Sequence, residues 1–110
     1  MPKKHRLSRL DFARIARARV RRHHGRFFSL VSVPLSDTKG AKAACVVSKK
    51  CAARAVDRNR IERRCRSVLR PLMPGFPHGV ALVFYAKRES RGVTFTEIES
   101  DIRKLVNMVR

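Results

Sequence analysis

From Val80 to Ala86 the chain reads "VALVFYA", a nearly unbroken apolar run with turn-forming residues on either side. Such a run predicts a strand buried on both faces. Upstream, "RFFSLVSV" alternates instead. As a strand it sends Phe28, Leu30 and Ser32 to one face and Phe27, Ser29, Val31 and Val33 to the other. Residues 34–40, "PLSDTKG", are rich in turn formers. A second strand is expected around 44–48 within "KAACVVSKK".

Three segments carry helical spacing instead. In the first, Phe12, Ile15 and Ala16 share a face, while Arg14, Arg17 and Arg21 spread over the rest. Ser8 is its candidate N-cap, with Asp11 three residues later, Leu7 and Phe12 as staple, and Gly25 as its end. In the second, Ile61, Cys65, Val68, Leu69 and Leu72 form the apolar stripe. Asn59, Arg63, Arg66 and Arg70 lie roughly opposite, and Arg60, Arg64 and Ser67 occupy one flank. Pro71 and "MPGFPHG" end it. The third opens with a capping box, Thr94 to Glu97, and a staple of Val93 with Ile98. Phe95, Ile98, Ile102, Leu105 and Val109 follow as its apolar positions. Glu97, Glu99 and Asp101 crowd its start and Arg103, Lys104 and Arg110 its later turns, as the helix dipole favours. The order is helix, strand, strand, helix, strand, helix, with a further short strand expected within 36–44. This is an α+β fold: a single small domain, with one sheet and helices packed on it.

Charge changes the picture. The 110 residues hold 27 Lys and Arg against 8 Asp and Glu, a formal charge of +19. That much self-repulsion opposes compaction and makes sense if a polyanion is the partner. No apolar run approaches the ~18 residues of a membrane-spanning helix. The basic "MPKKHRLSRLDF" lacks the apolar core of a signal peptide, so a cytoplasmic location is expected. Cys45, Cys51 and Cys65 contain no C-x-x-C and read as reduced, mostly buried thiols. His5, His23, His24 and His78 add no metal-ligand spacing, so no metal site is expected in the protein.

The arginines of "RAVDRNRIERRCRSVLR" call for a partner. Glu62 stands at pairing distance from Arg66 and, in the poorer orientation, from Arg58. The other arginines have no acid so placed, and Lys49, Lys50 and Arg54 extend the positive surface upstream. Planar guanidiniums hold phosphate oxygens with two hydrogen bonds, so phosphate binding is the favoured reading. The helix lacks the preceding helix and tight turn of a helix-turn-helix. A sheet carrying aromatics suits single-stranded RNA. Candidates are Phe12, Phe27, Phe28 and Phe84, with core packing favoured for Phe27 and Phe84.

The segment "VVSKKCAARAVDRNRIERRCR" closely resembles the signature of the protein component of bacterial ribonuclease P. The matching pieces are Val47-Ser48-Lys49-Lys50, Ala55-Val56 and Arg58-Asn59-Arg60-Ile61, then Arg63 and Arg64. "KKHRLSRLDFARI" is similar to the family's opening, "HGVALVFYAKRES" to its strand after the long helix, and "TFTEIESDIRKLV" to its last helix. The likeness spans nearly the whole chain in the right order.

The resemblance implies one domain, 1–110, of order αβββαβα, with a mainly antiparallel sheet and a left-handed strand–helix–strand crossover, against the usual handedness. It implies the non-catalytic protein subunit of a ribozyme endonuclease that removes the 5′ leader of precursor tRNA. The partners are then the ribonuclease P RNA subunit and precursor tRNA, with no membrane and no obligate protein partner. Mg2+ is expected mainly on the RNA subunit, none on the protein alone. Carried over by position, Arg58, Asn59, Arg60, Arg63 and Arg64 contact the RNA subunit, with Lys49, Lys50, Arg54 and Arg66 as neighbours. Phe12 matches the aromatic of the leader cleft. The chain departs from the family at Ala16 and Leu30, where aromatics are frequent, at Glu62, where a basic residue is usual, and at Ala52, where glycine is. Phe28 is the candidate to replace the missing aromatics.

Two other readings have sequence signatures of their own. A general RNA-binding or ribosomal protein shares the basic helix but has no role in cleavage. A protein-only nuclease needs clustered carboxylates or a histidine pair. The eight acids are scattered, and no catalytic residue is assigned.

Overall fold

The strand expected to be buried on both faces is the centre of the structure. The computed structural model describes residues 21–34, 41–76 and 79–109. Among them are strands β1 (Arg21–His24), β2 (Phe28–Pro34), β3 (Lys42–Val46) and β4 (Val80–Ala86), and helices α1 (Ala55–Leu69) and α2 (Phe95–Val109). The strands form one sheet in the order β1-β2-β4-β3. β1 with β2 and β2 with β4 run antiparallel, whereas β3 runs parallel to β4. The sheet is therefore mixed. α1 lies in the connection between its parallel pair, because a parallel pairing needs a crossover rather than a hairpin.

β4 feeds both faces. Leu82 and Phe84 join Phe28, Leu30 and Ala43 in the cluster that holds the buried sides of α1 and α2. Ala81 and Val83 join Val31 and Val33 in a second cluster on the opposite face. α1 buries Ile61, Cys65, Val68 and Leu69, four of its five expected stripe residues. Leu72 lies beyond the end of the helix and only half-buried. Each large aliphatic side chain buried there contributes about 1.5–3 kcal/mol.

Several expectations fail for identifiable reasons. Arg21–His24, read as the tail of the first helix, is strand β1, paired from Arg21↔Ser32 to His24↔Ser29. Its four polar residues carry no period of their own, so pairing with β2 decides its form. Of the further strand expected within 36–44, residues 36–40 lie outside the described residues, and β3 begins at Lys42. Val47 and Ser48 fall outside β3. The Ser48 carbonyl instead accepts hydrogen bonds from the Cys51 and Ala52 amides, closing a turn. The rest of the first helix, with Phe12 and Ala16, lies outside the described residues.

Asp101 does not serve the dipole of its own helix. It is 5% exposed. Its carboxylate accepts hydrogen bonds from the backbone amides of Arg26, Phe27 and Phe28 at 2.8, 2.9 and 3.0 Å. Three amide partners satisfy a charge that would otherwise be costly to bury. Gly25 permits the approach, since a Cβ there would stand 2.7 Å from one carboxylate oxygen and 2.8 Å from the other. α2 is thereby fastened to the start of β2. The capping box forms as expected: the Glu97 amide donates to Thr94 Oγ1 at 3.2 Å, and the Thr94 amide to Glu97 Oε1 at 3.4 Å. Phe95, expected in the stripe, is 40% exposed, and Val106 is buried in its stead.

Candidate RNA interface

With its stripe on the sheet, α1 turns its arginines outward. Arg60, Arg63 and Arg66 are exposed, as is Asn59, while Arg58 and Arg64 are half-buried. Lys49, Lys50 and Arg54 are exposed just upstream. The structure thus brings all nine expected positions onto α1 and the turn that leads into it. No ion pair within 4 Å joins Glu62 to Arg58 or Arg66; among the described residues that contact is made by Arg103 with Glu99. The helix has no side-chain cap at Arg54, so its first-turn amides and positive dipole end add to the field of the arginines.

Two of the arginines also organise the surface. Arg58 donates through Nη1 to the carbonyls of Ala52 and Ala53, at 3.0 and 2.7 Å. That clasps the loop entering α1 and leaves the outer guanidinium nitrogens for a ligand, because the group has five donors. Arg64 donates through Nη1 to the Val93 carbonyl at 3.1 Å and ties α1 to the β4–α2 connection. The lysine turn is anchored as well. Arg88 Nε donates to the Lys50 carbonyl at 3.2 Å. Buried Cys51 places its thiol 3.2 Å from the Lys87 carbonyl and 3.8 Å from Ser90 Oγ.

This lattice adds Arg88 and Arg91, both exposed, to the basic surface. Sequence reasoning missed them because they lie about twenty residues beyond the end of the arginine helix, in a turn without periodicity. The pairing of Lys50 with residue 88 exists only in three dimensions.

The expected aromatics resolve differently. Phe28 is a correction. It has no exposed surface and sits in the core beneath the helices, so it offers no face to a base. The same face of β2 carries Leu30, equally buried. Phe27 and Phe84 are core residues, as expected. The exposed aromatic of the sheet is Tyr85, at 37%, flanked across the strands by Ser29 and Val46. Alternation along "VALVFYA" puts Tyr85 on the face opposite Phe84, and the apolar character of the run predicts burial there too, which the structure does not give it. Cys65 is buried, and its burial pushes the thiol well above the ordinary range, with the neighbouring Cys45 thiol acting in the same sense. That is the property of an inert core residue. No group of three metal-ligating side chains occurs among the described residues.

The architecture matches solved proteins. A mutant RNase P protein from Staphylococcus aureus superposes with a TM-score of 0.85, covering 97% of this chain and 89% of its own, at 20% identity. The RNase P protein from Thermotoga maritima gives 0.80 over 96% of this chain and 97% of its own, at 21% identity. At such identities the likeness establishes the fold. Sequence adds the rest. The ribonuclease P protein component of Pseudanabaena sp. (strain PCC 6903) is 30% identical over 107 residues, 96% of this chain and 91% of that one. The Thermus scotoductus protein of the same description is 37% identical over 91 residues, 83% of this chain and 51% of its own. The family model described as Ribonuclease P matches residues 1–110. Motif, fold and full-length match converge, and the chain belongs to the ribonuclease P protein component family.

Proposed function

We propose that this chain is the protein subunit of the ribonuclease P ribonucleoprotein. It binds the catalytic RNA subunit and the 5′ leader of precursor tRNA and promotes endonucleolytic removal of that leader in the cytoplasm. The observation that carries this reading is the outward face of α1. Its exposed guanidiniums stand on a helix whose other side is fixed to the sheet, so binding phosphates need not order the helix itself, only the arginine side chains. Arg58, Asn59, Arg60, Arg63, Arg64 and Arg66, with Lys49, Lys50 and Arg54, take the RNA subunit. Phe12 and the exposed Tyr85, rather than Phe28, stack on the leader.

The chemistry belongs to the RNA and its Mg2+. Three of the acids have structural work: Asp101 holds three amides, Glu97 caps α2 and Glu99 faces Arg103. The protein's contribution is to screen phosphate repulsion and hold the leader. Cleavage of precursor tRNA is to be compared for protein alone, RNA subunit alone and both together, at low magnesium. Efficient cleavage requires both components. Cleavage by the protein alone, or no gain on adding it to the RNA, rejects the reading.

A further inference from the structure

The connection from β4 to α2 forms one wall of a groove whose other wall is α1. Arg88–Ser90 make a single 3-10 turn, and Gly92 follows with φ of +72°. A Cβ on Gly92 would meet nothing within 4 Å, so the glycine serves the backbone's conformation and not a close approach. The groove has a volume of about 550 Å³. Arg60, Arg64 and Asp57 line it from α1, and Arg91 from the turn, with Ile61 and Val93 as apolar lining.

These groups differ in what they leave free. Arg64 is held at the Val93 carbonyl, bracing the two walls. The guanidiniums of Arg60 and Arg91 make no hydrogen bond or ion pair with any described residue. Asp57 likewise has no ion pair among them. Three cations to one anion select an anionic ligand. A bare phosphate needs neither an apolar lining nor a carboxylate, which would repel it. A nucleotide uses all of them: phosphate on the free guanidiniums, base against Ile61 and Val93, and an amino group donating to Asp57. The volume falls within the range of small-ligand sites.

We propose that this groove takes one unstacked nucleotide of the RNA subunit, with a base that carries an exocyclic amino group. The inference rests on the function proposed above and adds to it a discrete site, with Arg91 and Asp57 as recognition residues. The full chain, labelled for NMR, is titrated with AMP, CMP, GMP, UMP and inorganic phosphate. The amino-bearing nucleotides shift the Gly92 and Val93 amide signals about 3- to 10-fold more tightly than UMP, the effect of one hydrogen bond. Asp57→Ala abolishes that preference, and Arg91→Ala weakens every nucleotide. Equal shifts from inorganic phosphate, or shifts indifferent to both substitutions, overturn the proposal.

A second measurement separates this site from the broader reading. With the cognate RNA subunit, Arg91→Ala weakens binding about 3- to 10-fold and exposes a single protected nucleotide to 2′-hydroxyl acylation, as expected for one hydrogen-bonded group removed. If the wild-type protein binds the RNA and Arg91→Ala leaves both affinity and footprint unchanged, the groove site is wrong and the broader function stands. If the wild-type protein does not bind the RNA subunit at all, the broader function is wrong and this site falls with it.

Discussion

Helices α1 and α2 are each 15 residues long and lie on the same face of one sheet, but their remaining surfaces are built differently. α2 begins with a reciprocal capping box and buries a carboxylate that holds three amides of β2's entry. Its three acids and two bases nearly cancel. α1 begins with no side-chain cap and carries five arginines against two acids. Its charges find few partners inside the molecule. The contrast teaches how one small domain divides its labour. α2 commits its capping box and Asp101 to the fold, whereas α1 commits its apolar stripe and one guanidinium nitrogen each of Arg58 and Arg64 and keeps the rest of its charge for a ligand.

The largest test of this contrast is Asp101→Ala. It strands the buried amides of Phe27 and Phe28, with the more accessible amide of Arg26 adding less, and should cost about 3–5 kcal/mol in urea unfolding, since each buried donor left unpaired costs about 1–3 kcal/mol. A loss below about 1 kcal/mol would break the account of α2.

Next comes alkaline pH, which probes the buried stripe of α1. The Cys65 thiol is raised in the folded state by burial, so the unfolded chain loses its proton first. Its contribution is fully present below about pH 8.5, the unfolded thiol value, and is lost as pH rises toward the folded one, at about 1.4 kcal/mol per pH unit. Cys65→Ala should remove that slope in pH-dependent unfolding curves, whatever it costs in packing.

Thr94→Ala removes half of the capping box and should cost about 1 kcal/mol. The equivalent change at the start of α1, Arg54→Ala, removes no cap and should cost less than about 0.5 kcal/mol. Similar losses at both ends would erase the distinction between the helices.

The smallest effect on stability should come from the change with the greatest effect on the partner. Replacing Arg60, Arg63 and Arg66 together by Ala should leave unfolding within about 0.5 kcal/mol, as for other exposed positions. Binding to the RNA subunit should weaken, with the log–log salt slope flattened by up to about 0.7–0.9 for each phosphate no longer neutralised. Destabilisation with an unchanged slope would make α1 a structural helix like α2.

The stripe of α1, the capping box of α2 and the double-faced β4 were legible because each is a local period or spacing that dictates which way side chains point. Asp101 was misread for an equally physical reason. An acid in a helix's first half matches the dipole, and nothing local reveals an amide cluster more than seventy residues away. Phe28 shows the limit of alternation, which sorts residues onto two faces without saying which face the helices cover.

By itself, then, the sequence determined the helix periods, the excess of positive charge and the R-N-R segment that marks the family, since these depend on residues close together in the chain. Only the tertiary structure decided that Arg21–His24 would be a strand, that Phe28 would be sealed and Tyr85 exposed, and that Arg91 would face Arg60 across a groove. Those outcomes depend on sheet pairing and on the packing of the β4–α2 turn against α1, contacts between residues far apart in the chain that no local pattern encodes.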